Sequence, residues 1–183
     1  MGMAAPNYWT AEMVRGLPDD GNRYEVVHGE LLVTPAPRAP HQLIVTRLAV
    51  ALSNYLERHP VGVALVSPAD ISWGRTDVLV QPDVFVVALE EARTQDWVQM
   101  RTLLLVAEVL SPATARADRF VKRRRYQDAP VPLYWIVDLE GRQVEVWTPP
   151  AEFPHIERER VRWHPTGVGE PFELGLDELF RPI

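Results

Sequence analysis

Cysteine is absent from the 183 residues. That excludes disulfides, thiolate metal sites and a cysteine nucleophile, and it suits a reducing, cytoplasmic setting. No run of about 18 apolar residues occurs, so the sequence offers nothing that spans a membrane. Met1 to Tyr8 has no basic stretch followed by an apolar one and does not read as a secretory signal. Positive charge is not in surplus: 19 Lys and Arg stand against 25 Asp and Glu, a formal net charge of −6. A protein that grips nucleic acid over its whole surface is usually basic, which argues against a tight, non-specific DNA binder. A local basic patch can still dock a nucleic acid while a bound metal offsets active-site carboxylates. Three chemistries lose their sequence signatures as well. There is no Gly-x-x-x-x-Gly-Lys phosphate loop, no Gly-x-Ser-x-Gly elbow and no His-Glu-x-x-His pair.

Lysine is almost missing. Eighteen arginines accompany one lysine, Lys122. A general preference for arginine can reflect coding bias. A lone lysine in that background marks either a leftover or a place that needs a compact ammonium on a flexible stem, not a planar fork.

What is present is ordinary for a globular chain: 46% apolar and 24% charged residues. The length fits one domain with one core, here residues 1–183. Thr10 can cap a short helix over 11–17, which Pro18 and the Asp19-Asp20-Gly21-Asn22 cluster stop. Two β-like runs, 23–27 and 30–34, flank His28-Gly29, which reads as a tight hairpin turn. A proline-rich loop covers 35–40. Ile44, Leu48, Ala51, Leu52, Tyr55 and Leu56 recur at three- and four-residue spacing and predict a helix over 41–58. Pro40 suits its first turn and Pro60 lies just past its end. Strands follow at 62–66 and 78–87, the second interrupted by Gln81-Pro82-Asp83. Residues 103–110 are nearly all apolar apart from Glu108, the mark of a central strand buried on both faces. A helix is expected over 115–128, basic in its middle. Residues 133–138 and 143–147 predict a hairpin turning at Glu140-Gly141. The tail, 151–183, is proline-rich and ends in a helical turn over 176–180. The whole predicts an α/β domain, a mixed sheet with helices packed on it.

Two acids sit where chemistry is plausible. Asp83 lies at a turn into a strand, and Glu108 near the end of the most apolar strand, where an isolated charge is very costly. Hard cations such as Mg²⁺ take one or two protein carboxylates and complete their shell with water and phosphate oxygens. Two acids at the ends of adjacent strands can supply such a site. In the plainer alternative, Glu108 pairs with an arginine or with Lys122, and Asp83 only shapes its turn. Lys122, fourteen residues past Glu108, either faces the sheet and reaches these acids or forms a surface ion pair with Asp118, four residues before it. The run Lys122-Arg123-Arg124-Arg125, with Arg116 and Arg119, is the one concentration of positive charge. It can bind phosphates or be a solvated helix face.

At Arg23-Tyr24-Glu25-Val26-Val27-His28-Gly29-Glu30-Leu31 the chain resembles the opening hairpin of the Uma-two family of proposed endonucleases. The resemblance continues through His41-Gln42, Gln81-Pro82-Asp83-Val84 and Glu108-Val109-Leu110-Ser111-Pro112-Ala113-Thr114. It runs on through Asp118, Lys122, Tyr126 and Tyr134-Trp135-Ile136-Val137-Asp138. It covers about Thr10 to Trp147 and, weakly, the tail. That family resembles the PD-(D/E)XK superfamily, which implies a restriction-endonuclease-like fold and Mg²⁺- or Mn²⁺-dependent phosphodiester hydrolysis. By position, the resemblance implies Asp83 and Glu108 as metal ligands and Lys122 as a catalytic residue. The position two after the glutamate, where the superfamily usually carries its lysine, is Leu110 here. Glu25 matches an upstream acid that completes the site, and His41 is a weaker member. Two stretches depart from the family pattern, Met100-Arg101-Thr102-Leu103 and Ala129-Pro130-Val131-Pro132, and both bear on loop shape.

The expected function is therefore a metal-dependent endonuclease acting on nucleic acid, DNA foremost, with Arg119 and Arg125 on flanking phosphates. Cutting both strands of a duplex with one site per chain favours a homodimer. The alternatives are a catalytically silent binding or structural module that keeps the fold, and a metal-dependent hydrolase with another substrate.

Overall fold

The computed structural model describes residues 8–182, so the reading of the N-terminus lies, apart from Tyr8, outside the described residues. Its helices are α1 (Ala11–Arg15), α2 (Ala39–Arg58), α3 (Leu89–Ala92), α4 (Arg123–Asp128) and α5 (Leu176–Leu179). Strands β1 (Arg23–Val27), β2 (Glu30–Thr34), β3 (Gly62–Val66) and β4 (Val78–Leu79) precede β5 (Val84–Ala88) and β6 (Leu103–Val109). Then come β7 (Tyr134–Asp138), β8 (Gln143–Trp147), β9 (His155–Glu157), β10 (Arg160–Trp163) and β11 (Phe172–Gly175).

Thr10 caps α1 by accepting from Met13 N at 3.2 Å, and the helix closes at Gly16. The β1–β2 hairpin turns where predicted. His28 and Gly29 both take left-handed backbone, φ 51° and 82°, the two-residue turn whose twist matches the flanking strands. Helix α2 begins two residues earlier than expected, with Pro40 in its first turn.

The main sheet has six strands in the order β3-β5-β6-β7-β8-β9. Only β6 and β7 run parallel, and the chain between them crosses over through the helical stretch 115–128. Strand parity then sorts side chains to two faces. Val84, Val86, Leu105, Ala107, Trp135 and Val137 pack beneath α2. Phe85, Val87, Val106, Tyr134 and Ile136 face a second cluster with Val78, Val80 and Tyr126. Glu108 shares that second side with Val106. Among the described residues no helix is long and apolar enough to cross a membrane.

Three expectations are corrected. The run 78–87 is not one strand. Val78–Leu79 pairs with β1 in a small sheet of order β2-β1-β4, and β5 belongs to the large sheet. Pro82 has no N–H to continue a ladder, so Gln81-Pro82-Asp83 carries the chain from one sheet to the other. Residues 115–128 are helical as predicted, but Ala117–Lys122 is wound as a π-helix before α4 resumes the α form. The tail is more than a proline-rich coil. It adds β9 to the large sheet, and β10–β11 form a hairpin whose Val161, Trp163, Phe172 and Leu174 fill the core beside α2.

Candidate active site

The crossing at Gln81-Pro82-Asp83 joins the two sheets where β1, β5 and β6 converge. Glu25 shares its face of β1 with Val27, which packs in the second cluster. Its Oε1 accepts from Gln81 N at 2.7 Å, so β1 is tied directly to the crossing. Ser67 Oγ lies 2.9 and 2.8 Å from the carbonyls of Gln81 and Pro82 and braces the same segment.

Asp83 is held on every side. Its Oδ1 accepts from Arg23 Nη1 at 2.8 Å, and its Oδ2 from the backbone N–H of Val109 at 2.9 Å. His41 Nε2, from the first turn of α2, lies 3.1 Å from Oδ2. Arg23 Nη1 is also 3.1 Å from Ser67 Oγ. Glu108 sits beside Asp83 on the neighbouring strand: its Oε2 is 3.4 Å from Asp83 N, and its Oε1 accepts from Tyr126 OH at 2.9 Å.

Lys122 closes the group from the π-helix, 1% exposed. Its Nζ is 2.7 Å from Glu25 Oε2, 3.1 Å from Glu108 Oε1 and 3.5 Å from Asp118 Oδ1. The pairing of Asp118 with Lys122 is thus buried rather than on the surface. Of the residues singled out from sequence, Glu25, Asp83, Glu108, Lys122 and His41 come together. Arg119 and Arg125 lie outside this cluster. Arg119 is engaged by Glu145 at 2.6 Å and lies 3.7 Å from Asp138, whereas Arg125 stacks on Trp73.

Sequence reasoning gave no role to Arg23, Asp118 or Tyr126 in this cluster. Each carried a signal. Arg23 is two residues before Glu25 and so shares its strand face, and Asp118 and Tyr126 stand four residues either side of Lys122 on one helical stretch.

The electrostatics follow from a count. Four buried carboxylates (Glu25, Asp83, Glu108, Asp118) face two permanent cations, Arg23 and Lys122. Burial would raise Asp83, but the His41 hydrogen bond and the Arg23 charge outweigh it and hold its pKa below the usual carboxylate range. Burial raises Glu108 well above its ordinary value, with Asp83, Asp118 and Glu25 adding repulsion that Lys122 only partly offsets. Burial likewise lifts Asp118, to about 6. Burial works against charge on Lys122 too, yet three carboxylates prevail and keep it protonated. Tyr126, raised by burial and by Glu108, stays a phenol and a donor.

Among the described residues no group of three or more His, Cys, Asp or Glu is arranged to hold a metal ion. Asp83 and Glu108 form a pair, not a triad. An adjacent pair of oxygen donors in a cluster with more carboxylates than permanent cations fits a hard divalent cation, which needs only one or two protein carboxylates.

Among solved structures the chain is similar to a "putative nuclease belonging to DUF820" from Anabaena variabilis ATCC 29413. The TM-score is 0.73 with 15% sequence identity, over 93% of this chain and 97% of that one, a likeness of fold. No curated protein matches the chain. The family model of Uma2, described as "Putative restriction endonuclease", matches residues 11–176. That span contains every residue of the buried cluster, and the chain belongs to the Uma2 family.

Proposed function

We propose that this chain is a metal-dependent endonuclease, a single domain over 1–183 that hydrolyses phosphodiester bonds of nucleic acid, DNA foremost. The observation that carries the reading is the buried pair of carboxylates, Asp83 and Glu108, side by side on adjoining strands in a cluster with more carboxylates than permanent cations. The family description and the neighbour's designation as a nuclease support the same class of chemistry.

Asp83 and Glu108 would hold Mg²⁺ or Mn²⁺, which when bound supplies Lewis acidity toward a phosphate oxygen and lowers the pKa of water. Lys122, charged and fixed by Glu25 and Glu108, orients the attacking water or stabilises negative charge building on the phosphorus centre. Glu25 assists by anchoring Lys122 and, through Gln81 N, the segment that carries Asp83. Arg23 and His41 fix the Asp83 carboxylate in one orientation. Arg119 and Arg125 serve flanking phosphates. Two copies, each cutting one strand of a duplex, would make the working unit a homodimer in a reducing, cytoplasmic setting.

The test is nicking and cleavage of supercoiled and single-stranded DNA with Mn²⁺ or Mg²⁺, wild type beside Asp83→Ala and Lys122→Arg. Cleavage lost in both variants and in chelator is the expected result. Full activity in chelator or in Asp83→Ala overturns it.

One observation favours a second reading, a nuclease fold kept as a binding module. Every carboxylate oxygen of Asp83 and Glu108 already has a protein donor within 3.4 Å. Calorimetric titration with Mn²⁺ separates the two, because a closed ion-pair network predicts no metal site.

A further inference from the structure

A pair of unsatisfied donors lies beside the buried cluster. Arg125 is three residues past Lys122 and only 6% exposed. Its guanidinium carbon stands 4.6 Å from the centre of the Trp73 ring. Its Nε and the Trp73 Nε1 are both shielded from solvent and both lack a hydrogen-bond partner. Arginine and indole nitrogens only donate, so neither can satisfy the other. Buried N–H groups are almost always paired, and here two donors of one stacked pair each lack an acceptor.

The nearby acids do not fill it. Asp77 and Asp128 act on Arg125 from beyond ion-pair distance. Asp77 is clamped by Arg75 at 2.9 Å and accepts from Tyr8 OH at 3.1 Å, and Asp128 faces His28 at 3.6 Å. Among the described residues Arg125 is in no ion pair, in contrast to Arg119. Nor is the indole loosely placed. Trp73 and Gly74 take left-handed backbone, φ 51° and 72°, unusual for a bulky side chain. The loop is pinned by the Ile71–Val80 bridge and by Arg75 N donating to Ser72 O at 2.9 Å.

This pair is wired to the proposed reaction centre. The Trp73 and Tyr126 rings are 6.3 Å apart, edge to face, and the Tyr126 hydroxyl holds Glu108. The loop that carries Trp73, closed by the Ile71–Val80 bridge, runs directly into Gln81-Pro82-Asp83.

We propose that Trp73 and Arg125 form an oxyanion subsite that takes a phosphate group, a backbone phosphodiester one or more nucleotides from the scissile bond. The need for an oxyanion stands on the two orphan donors. The assignment to a nucleic acid strand rests on the nuclease reading. Arg125 supplies the charge and a donor, Trp73 Nε1 a second donor, and the stack keeps the guanidinium from turning away.

The test reads the two donors themselves. The Trp73 indole and Arg125 Nε–H signals are followed by ¹⁵N NMR in wild-type protein held in chelator, where no cleavage occurs. Arg125→Gln and Trp73→Phe assign the signals, and dispersed amide spectra verify that each variant folds. The probes are oligothymidylate without terminal phosphates and, separately, inorganic phosphate. Both signals should move together and saturate with oligothymidylate. Arg125→Gln should weaken binding about tenfold and lower the salt slope of affinity by about one. Trp73→Phe should weaken it less, because the ring stays and one donor goes. Movement with inorganic phosphate alone upholds the oxyanion subsite and overturns its assignment to a strand. Oligothymidylate that shifts other signals and leaves these two still overturns the subsite while sparing the nuclease reading. No movement with either probe overturns it as well. Cleavage measured on the same preparation with Mg²⁺ judges the nuclease reading independently.

Discussion

Lys122 Nζ lies 2.7 Å from Glu25 Oε2, with both side chains sealed from solvent. The other oxygen of Glu25 accepts from Gln81 N, so the lysine is tied through one carboxylate to the segment that presents Asp83. Removing the ammonium leaves Glu25, Glu108 and Asp118 facing one another with Arg23, 3.8 Å from Glu25 Oε2, as the one remaining permanent cation of the cluster. Lys122→Met should therefore lower the unfolding free energy by about 3–5 kcal/mol at pH 7.5, measured by urea denaturation. The loss should shrink at pH 5, and Glu25→Gln in the same chain should recover part of it. A Lys122→Met protein as stable as wild type would show that the carboxylates need no counter-ion beyond Arg23.

Asp118 gives a pH dependence of defined sign. Folding raises its pKa from 3.8 to about 6, so the folded state holds this proton more tightly than the unfolded one. That contribution is complete below about pH 4 and fades as pH rises through 6. Without metal, Asp118→Asn should match wild type near pH 4 and exceed it by on the order of 1–3 kcal/mol at pH 7.5. Thermal midpoints from pH 4 to 8 in chelator decide it. An asparagine variant less stable at pH 7.5 would mean that the attraction to Lys122 outweighs the cost of burying the charge.

Removal of either proposed ligand, by Asp83→Asn or Glu108→Gln, should abolish Mn²⁺ heats in calorimetry and cut cleavage more than about 100-fold. His41→Ala, which removes a partner of Asp83 Oδ2 but neither proposed ligand, should cost about 10–100-fold, as loss of an outer partner of a ligand does. Equal losses in all three would place His41 at the reacting atoms instead.

Arg23 and a metal would both draw on Asp83. Arg23→Gln should consequently raise Mn²⁺ affinity, on the order of tenfold, by removing a cation 2.8 Å from Asp83 Oδ1. Weaker binding in that variant would show that Arg23 holds the ligand in place more than it competes for it.

The tail tests the core. Trp163 is 5% exposed and its ring lies 6.0 Å from that of Tyr55 on α2. Trp163→Ala should cost about 3–5 kcal/mol in denaturant unfolding. A near-neutral change would mean that β10–β11 packs too loosely to matter.

What could be read from the chain divides along physical lines. Period-3.6 burial in α2, the left-handed turn at His28-Gly29 and the apolar run around Glu108 are local patterns, and each appears where the residues predict it. The tail strands were missed because β10 and β11 have four residues each and prolines on either side. Their alternation, Val161 and Trp163 against Arg160 and Arg162, is too short to outweigh those breakers. The split of 78–87 was half legible: Pro82 marked the break but not the change of sheet. Within the cluster, buried acids in apolar strands stood out. Arg23 did not, because an arginine at a strand start reads as a solvated end until Asp83 is brought to it from sixty residues away.

The π-helical stretch Ala117–Lys122 makes the helix unequally tolerant of a change in chain length on the two sides of Lys122. A π turn holds one residue more than an α turn, so loss of a residue from 119–121 can be absorbed by relaxation to the regular α form, with Lys122 and Tyr126 still facing Glu108. Loss of a residue from 123–125, already α-helical, has no such slack and would turn Tyr126 by about 100° away from Glu108 while Lys122 stays. Two chains with the same acids, lysine and tyrosine, and the same length, can therefore differ in whether those side chains still meet.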